Sequence, residues 1–191
     1  MNTNFEIISQ IIRHRRSVYP HQFKPGLIAE TLIDKILENG IWAPNHKMTQ
    51  PWRYIRIQGK ALLELSNFLA DWYKSNTPAD QFSEMKWKKA GERPLQSAYV
   101  LSICISRSPV SVIPEWEETA ALAMSVQNIW LSCAALNIGA YWSTPGAIKG
   151  IGTLLNLTEH EECLGLFYMG WAPDTLPDSD RIPVVQISRF L

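Results

Sequence analysis

The stretch "TAALAMSVQNIWLSCAALNI", residues 119–138, is a helix-length segment without a single Asp, Glu, Lys or Arg. Charged residues stay absent as far as Ile148, so the segment is long enough to cross a bilayer. It nevertheless contains several Ser, Gln and Asn side chains, and Gly139 follows it as a predicted helix stop. These features favour a helix that is buried on most sides in a water-soluble protein. In a chain of 191 residues such burial usually needs cover from a second subunit, so we expect a dimer.

Apolar runs on either side of this helix predict a central sheet. Strands are predicted at residues 52–58, 97–105, 140–143 and 163–170, and the alternating tail predicts a further strand within 181–191. Helical spacing predicts helices at residues 4–16, 25–42 and 60–76, a long helix that begins near Glu115, and a short helix within 145–157. The pattern is typical of an α+β fold in which helices flank one sheet.

The whole chain, residues 1–191, is predicted to form one domain. The polar segment at residues 71–94, with its scattered aromatic residues, is interpreted as a helical excursion or lid. Lys and Arg together number 18, as do Asp and Glu, and a net charge of zero argues against nucleic acid or anionic lipid as a partner.

The cysteines indicate a reducing compartment. Cys104, Cys133 and Cys163 are odd in number, far apart and set among apolar residues, as is typical of reduced thiols. The first twenty residues are polar and lack the apolar core of a signal peptide. We therefore predict a cytoplasmic protein without a membrane anchor.

The common catalytic motifs are missing from the sequence. The four histidines are dispersed and form no metal-ligand spacing with cysteine, so no metal site is predicted. The segment "GIGTLL" from Gly150 matches only the first two glycines of a dinucleotide-binding loop and does not follow a strand. No Walker A sequence and no G-x-S-x-G motif is present, so nothing in the sequence suggests hydrolysis.

Three segments carry side chains suited to a ligand. Arg15-Arg16-Ser17 could clamp a phosphate through charge-assisted hydrogen bonds, or could be a basic helix end with solvated charges. Residues 42–52, "WAPNHKMTQPW", offer polar donors and two indole faces to a planar ligand, or form a connector bounded by prolines. The turn Trp142-Ser143-Thr144 could present backbone N–H groups to a ligand, or could be a plain strand–helix loop.

Taken in this order, the segments resemble the flavin-dependent nitroreductase family of FMN-dependent NAD(P)H oxidoreductases, and above all its small members. The resemblance is carried by Arg15-Arg16-Ser17, Ala43-Pro44, Gln50-Pro51-Trp52, "QNIWLSCAALNIGAYW", "GLFYMGWAP" and Arg181. It implies a mostly antiparallel α+β homodimer with FMN in each of two clefts between the subunits.

The resemblance also implies roles for individual residues. Arg15, Arg16 and Ser17 would hold the phosphate and ribityl end of FMN, and Arg181 would add positive charge near the phosphate. Trp42 and His46 would reach the flavin from the partner subunit. The cofactor-binding residues implied along the ring edge are Trp142, Ser143 and Thr144, largely through backbone groups.

The chemistry implied is hydride transfer from NAD(P)H to flavin N5 and onward to an electron-poor acceptor such as a nitroaromatic or a quinone. The flavin carries this chemistry, so no catalytic side chain is predicted. Two alternatives stay open from the sequence. One is a flavin-binding dimeric protein without significant turnover, and the other is a Rossmann-type dehydrogenase.

Overall fold

A four-stranded sheet forms the centre of the computed structural model, which describes residues 3–107 and 113–191. Its strands are β1 (Trp52–Ile57), β2 (Tyr99–Ser106), β3 (Ile138–Ser143) and β4 (Glu161–Trp171). They lie in the order β1-β2-β4-β3, and each neighbouring pair is antiparallel. The four strands predicted between residues 52 and 170 are therefore confirmed, with ends that differ by at most two residues.

Helices cover both faces of this sheet. They are α1 (Thr3–His14), α2 (Glu30–Ile41), α3 (Lys60–Asn76), α4 (Glu84–Leu95), α5 (Glu115–Ala135), α6 (Gly152–Leu155) and α7 (Val184–Ile187). Short 3-10 turns lie at Pro20–Gln22, His46–Met48 and Gly146–Gly150. The predicted second helix begins five residues late, because Pro25 and Gly26 stay outside it. Segment 71–94 contains the end of α3 and most of α4, which pack against each other.

Two cores lie on opposite faces of the sheet. On one face, α2 and α5 bury Ile33 and Ile129 against the strands. Their approach is close, because a Cβ added at Gly40 of α2 would lie only 2.9 Å from Cγ1 of Ile129. On the other face, α3 buries Leu65 against Tyr168 of β4. The uncharged segment thus forms a central packing helix, as the sequence predicts.

Helix α5 ends earlier than Gly139, the helix stop that the sequence predicts. Asn137 adopts the left-handed conformation at φ 56° and turns the chain into β3. Asn tolerates this conformation better than most residues, so it replaces glycine there. Gly139 instead lies inside β3, where a Cβ would come within 2.9 Å of Val18. The glycine is needed for close packing and not for the turn.

Apolar side chains remain on the surface of this single chain. On α1, which buries no residue, Phe5, Ile8 and Ile12 are exposed. Met124 and Leu136, on and just after α5, are about two-fifths exposed. In the single chain, helix α5 therefore exposes more apolar surface than its uncharged sequence predicts. No helix in the described ranges combines the length and apolar character that a membrane span requires.

The strand predicted within residues 181–191 is wrong. The tail forms one helical turn, closed by hydrogen bonds from Gln186 N–H to Pro183 O and from Ser188 N–H to Val184 O. Alternating apolar residues form a strand only beside another strand, and no described strand pairs with this tail. Val185 and Phe190 are left almost fully exposed.

Candidate functional site

Arg15, immediately after α1, is the centre of the candidate site. Its guanidinium lies 4.6 Å from the centroid of the Trp130 ring, in a cation–π contact. Its Nη1 atom is buried and has no hydrogen-bond partner among the described residues. Buried donors in folded proteins are nearly always paired. The vacant donor therefore indicates a group that binds here.

Two further arginines converge on Arg15. Arg16 is fixed by hydrogen bonds from Nε to the Pro177 carbonyl at 2.9 Å and from Nη1 to the Arg15 carbonyl at 3.0 Å. Arg181 comes from the tail and donates to the Asp180 carbonyl at 2.7 Å. Burial lowers the pKa of Arg15, and the positive charges of Arg181 and Arg16 lower it further. The structure thus brings Arg15, Arg16 and Arg181 near one another, and their binding of a phosphate stays a prediction.

A cavity of about 320 Å³ adjoins this cluster. Its wall includes Arg15, Arg16, Trp130 and the chain around Gly139. Asp174 also lines it, but its Oδ1 lies 2.8 Å from Nζ of Lys24, so that its charge is already compensated. The cavity is at the small end of the range for ligand pockets, about 300–1,000 Å³. Its positive charge and its size suit a phosphate group.

The remaining residues predicted within one chain follow each other along β3. Ser17 forms an isolated parallel bridge with Ala140, and the Val18 N–H donates to the Ala140 carbonyl at 3.0 Å. From Gly139 at the cavity, the strand runs to Thr144, a span of about 17 Å at about 3.3 Å per residue. Ser17 thus lies beside the middle of β3, and Trp142, Ser143 and Thr144 lie at the far end of this strand.

At the far end of β3 the side chains differ in exposure. Trp142 is half-buried against Gly165, and its Nε1 has no hydrogen-bond partner among the described residues. The side chain of Ser143 is buried and that of Thr144 is exposed. Backbone groups and the Thr144 hydroxyl are therefore what this turn offers to a ligand.

Trp42 and His46 lie elsewhere in the chain. Trp42 ends α2 with four-fifths of its surface exposed, and the His46 ring pairs with the Glu117 carboxylate at the start of α5. Glu117 and Trp130 belong to the same helix, 13 residues apart. At about 1.5 Å per residue this is about 20 Å, so one chain does not bring His46 to the arginine cavity.

The loop that carries His46 has an unusual backbone. Lys47, Met48 and Gln50 adopt positive φ angles of 50°, 54° and 44°. Each such residue costs of order 1–3 kcal/mol unless its surroundings hold it. Here Asn45 Oδ1 accepts a hydrogen bond from the Gln50 N–H at 3.1 Å. The loop keeps a defined shape although most of its side chains face solvent.

Sequence reasoning missed Trp130, Pro177 and Glu117, which hold Arg15, Arg16 and His46. The contacts of Arg16 with Pro177 and of His46 with Glu117 link residues far apart in sequence. The only signal for Trp130 is a large aromatic residue inside the uncharged helix, which packing alone would explain.

Comparison with known proteins places the chain in a family. The sequence model of the Nitroreductase family matches residues 12–171. YfhC of Bacillus subtilis (strain 168), provisionally named an NAD(P)H nitroreductase, is 26% identical over 184 residues, which cover 93% of this chain and 91% of YfhC. The chain therefore belongs to the Nitroreductase family, and the predicted resemblance and oxidoreductase class are confirmed.

Solved structures show the same fold. A nitroreductase-like family protein from Bacillus cereus superimposes with a TM-score of 0.80 at 22% identity, covering 96% of this chain and 95% of that one. The NADPH complex of NfnB from Mycobacterium smegmatis, an FMN-dependent nitroreductase, superimposes with a TM-score of 0.79 at 16% identity, covering 98% of this chain and 99% of that one. A Rossmann-type dehydrogenase needs a mostly parallel sheet. Every ladder between the described strands is antiparallel, which excludes that alternative.

Proposed function

We propose that the protein is an FMN-dependent oxidoreductase that takes hydride from NAD(P)H and passes it to an electron-poor acceptor such as a nitroaromatic or a quinone. The observation that carries this proposal is the vacant, buried Nη1 of Arg15 beside two other guanidinium groups. The three neighbouring positive charges repel one another, and a bound anion would offset this repulsion. The phosphate of FMN supplies the charge and the acceptor oxygens for charge-assisted hydrogen bonds.

The proposed roles follow from how each residue is held. Arg15 lies against Trp130 and directs its free donor toward the phosphate. Arg16 supplies charge while it ties the chain near Pro177 to the end of α1. The exposed Ser17 hydroxyl lies beside Ala140, between the phosphate and the ring edge. Bound FMN would supply a hydride acceptor and donor at N5, so the chain itself binds, orients and shields it.

We further propose a homodimer in which Trp42 and His46 serve the flavin of the partner subunit. Three observations support it. Glu117, which pairs with His46, lies about 20 Å along α5 from Trp130, which contacts Arg15. Trp42 is four-fifths exposed although it is a large indole. Phe5 and Ile8 on α1 belong to an uncovered apolar surface that an isologous interface would bury.

The direct test is an absorption spectrum of the purified protein before and after anaerobic addition of NADH or NADPH. A yellow protein that is bleached by either nucleotide supports the proposal. A yellow protein that neither nucleotide bleaches favours the alternative of a flavin-binding dimer without turnover. Heat-released cofactor that proves to be FAD, or a protein that takes up no added FMN, contradicts the proposal.

A mixing experiment tests the shared site. Chains with Arg15→Ala and chains with His46→Ala are each expected to bind FMN weakly. If they exchange under mild denaturant, a heterodimer has one intact site and one doubly damaged site, so part of the tight binding returns. Recovery that fails although exchange is confirmed contradicts a shared site. Arg15 is chosen over Arg16, because the structural hydrogen bonds of Arg16 would confuse the result.

A further inference from the structure

Two cysteines lie opposite each other in the sheet, away from the arginine cavity. Cys104 of β2 and Cys163 of β4 are register partners in the antiparallel ladder. Both thiols are free, and both side chains are almost completely buried in the core beneath α3. The third free thiol, Cys133 of α5, belongs to the core on the opposite face of the sheet.

The backbone geometry of this pair is compatible with a disulfide. Directly opposite residues of an antiparallel pair have Cα atoms about 4.5–5.5 Å apart. Disulfides join Cα atoms about 4.4–6.8 Å apart. A register irregularity between Ile103 and Cys104, as at a β-bulge, bends the strand next to the pair.

The two side chains point to the same face of the sheet, because they are register partners and belong to the same core. The Cys163 thiol donates to the Gly165 carbonyl at 3.5 Å. Cross-strand neighbours of this kind have Cβ atoms about 4.5–5.5 Å apart, so a disulfide between Cys104 and Cys163 needs only local movement.

The pair is chemically asymmetric. Hydrogen bonding to the neighbouring Cys104 thiol lowers the pKa of Cys163 against the effect of burial. The interaction with Cys163, together with burial, raises the pKa of Cys104. Cys163 also lines an open surface groove with Thr144 and Glu161, while Cys104 is fully covered. Cys163 is therefore the thiol that ionises first and that a small solute reaches first.

We propose that Cys104 and Cys163 form a reversible disulfide when the protein meets a hydroperoxide, with Cys163 oxidised first. The Cys163 thiolate attacks a peroxide oxygen, the O–O bond breaks, and Cys163 becomes a sulfenic acid while the leaving oxygen takes a proton. Cys104 then loses its proton and attacks the Cys163 sulfur, and the S–O bond breaks to release water. The two thiols give up two electrons to one peroxide, and an external dithiol reverses the change.

This site is separate from the proposed phosphate site. Cys163 lies at the start of β4, and Gly170, which pairs with Gly139 beside the cavity, lies seven residues further on. The separation is about 23 Å along the strand. The proposed disulfide does not depend on flavin binding, so it can be tested whether or not the protein carries FMN.

The test is intact-mass spectrometry of the folded full-length chain after hydrogen peroxide treatment and alkylation. We expect a species lighter by two hydrogen atoms before alkylation, two thiols protected from alkylation, and a linked Cys104–Cys163 peptide that disappears with dithiothreitol. The variant Cys133→Ser should form the same link to the same extent. No link in the folded wild-type chain, or a link that involves Cys133, overturns the proposal.

Single variants test the order of the steps. Without its resolving partner, Cys104→Ser should accumulate a sulfenic acid at residue 163 that a dimedone-type probe labels. Cys163→Ser should leave the covered Cys104 thiol unoxidised at the same peroxide concentration. Equal labelling of Cys104 in that variant contradicts Cys163 as the first thiol. Circular dichroism checks that each variant is folded. If a variant does not fold, the disulfide in the wild-type chain still tests the proposal.

Discussion

Replacing Arg15 by Gln tests the phosphate site most directly. The substitution keeps a polar side chain of similar length but removes the charge and the donor that has no partner. A hydrogen bond between charged groups contributes about 1.5–3 kcal/mol. At about 1.4 kcal/mol per factor of ten, FMN affinity should fall about 10- to 100-fold.

The unliganded protein should lose little stability. The substitution removes the contact with Trp130, worth about 0.5–2 kcal/mol. It also removes the repulsion from Arg181 and Arg16 that lowers the pKa of Arg15, and this gain opposes the loss. A weakened ligand affinity in a protein that unfolds near the wild-type temperature would therefore report the site and not the fold.

The assay is a titration of apoprotein with FMN, followed by flavin fluorescence, and a parallel titration with riboflavin, which lacks the phosphate. Arg15→Gln should affect riboflavin affinity little. Arg13→Gln is the matched control, because Arg13 carries the same charge at the end of the same helix with an exposed side chain outside the cavity. If Arg15→Gln weakens riboflavin as much as FMN, or Arg13→Gln matches its effect on FMN, the reasoning is refuted.

Three further outcomes are expected. Gly40→Ala should lower the melting temperature in circular dichroism, since overpacking against Ile129 costs about 1–3 kcal/mol. Gly152→Ala should not lower it, because the atom nearest to the added Cβ would lie at 4.0 Å. Equal shifts of the two melting temperatures would contradict the packing argument. Burial raises the pKa of Tyr54 to about 12, while an unfolded tyrosine ionises near ~10. Tyr54 therefore contributes stability that is present below pH ~10 and is lost as the pH rises toward about 12. Over this pH range the free energy of unfolding, measured in urea, should fall less steeply for Tyr54→Phe than for the wild type. Identical slopes would count against this role of Tyr54. Deleting residues 183–191 should raise the dimer dissociation constant in sedimentation, because a dimer interface would bury Val185 and Phe190, which the single chain leaves exposed; an unchanged constant would place the tail outside the interface.

The strands were predictable because their signals are local. Strand β2 is apolar along almost its whole length and is buried along almost its whole length, so composition alone identifies it. Helix α5 was predictable for the same reason, since its uncharged run has few alternatives in a folded chain. The strand predicted in the tail failed because alternation says nothing about whether a neighbouring strand exists.

For the candidate site, the residue types were predictable, but the residues that contact and position them were not. Arg15 and Arg16 stand out as adjacent cations, yet nothing near them in sequence points to Trp130, which lies more than a hundred positions away. The approach of Arg181 likewise depends on the path of the tail. Such contacts arise from the assembled fold, so a pattern within a short window cannot contain them.

Features that are energetically unfavourable in a folded chain lie at the two ends of the proposed flavin site. Arg15 keeps a buried donor without a partner, Lys47 and Met48 hold left-handed backbone, and Trp42 faces solvent. Each of these is costly in an isolated chain, and such local exceptions are expected where function overrides stability. Because the two ends lie about 20 Å apart along one helix, a single subunit cannot satisfy both with one ligand. A second copy, turned by a two-fold axis, can place each loop over the other subunit's cavity and satisfy both ends at once.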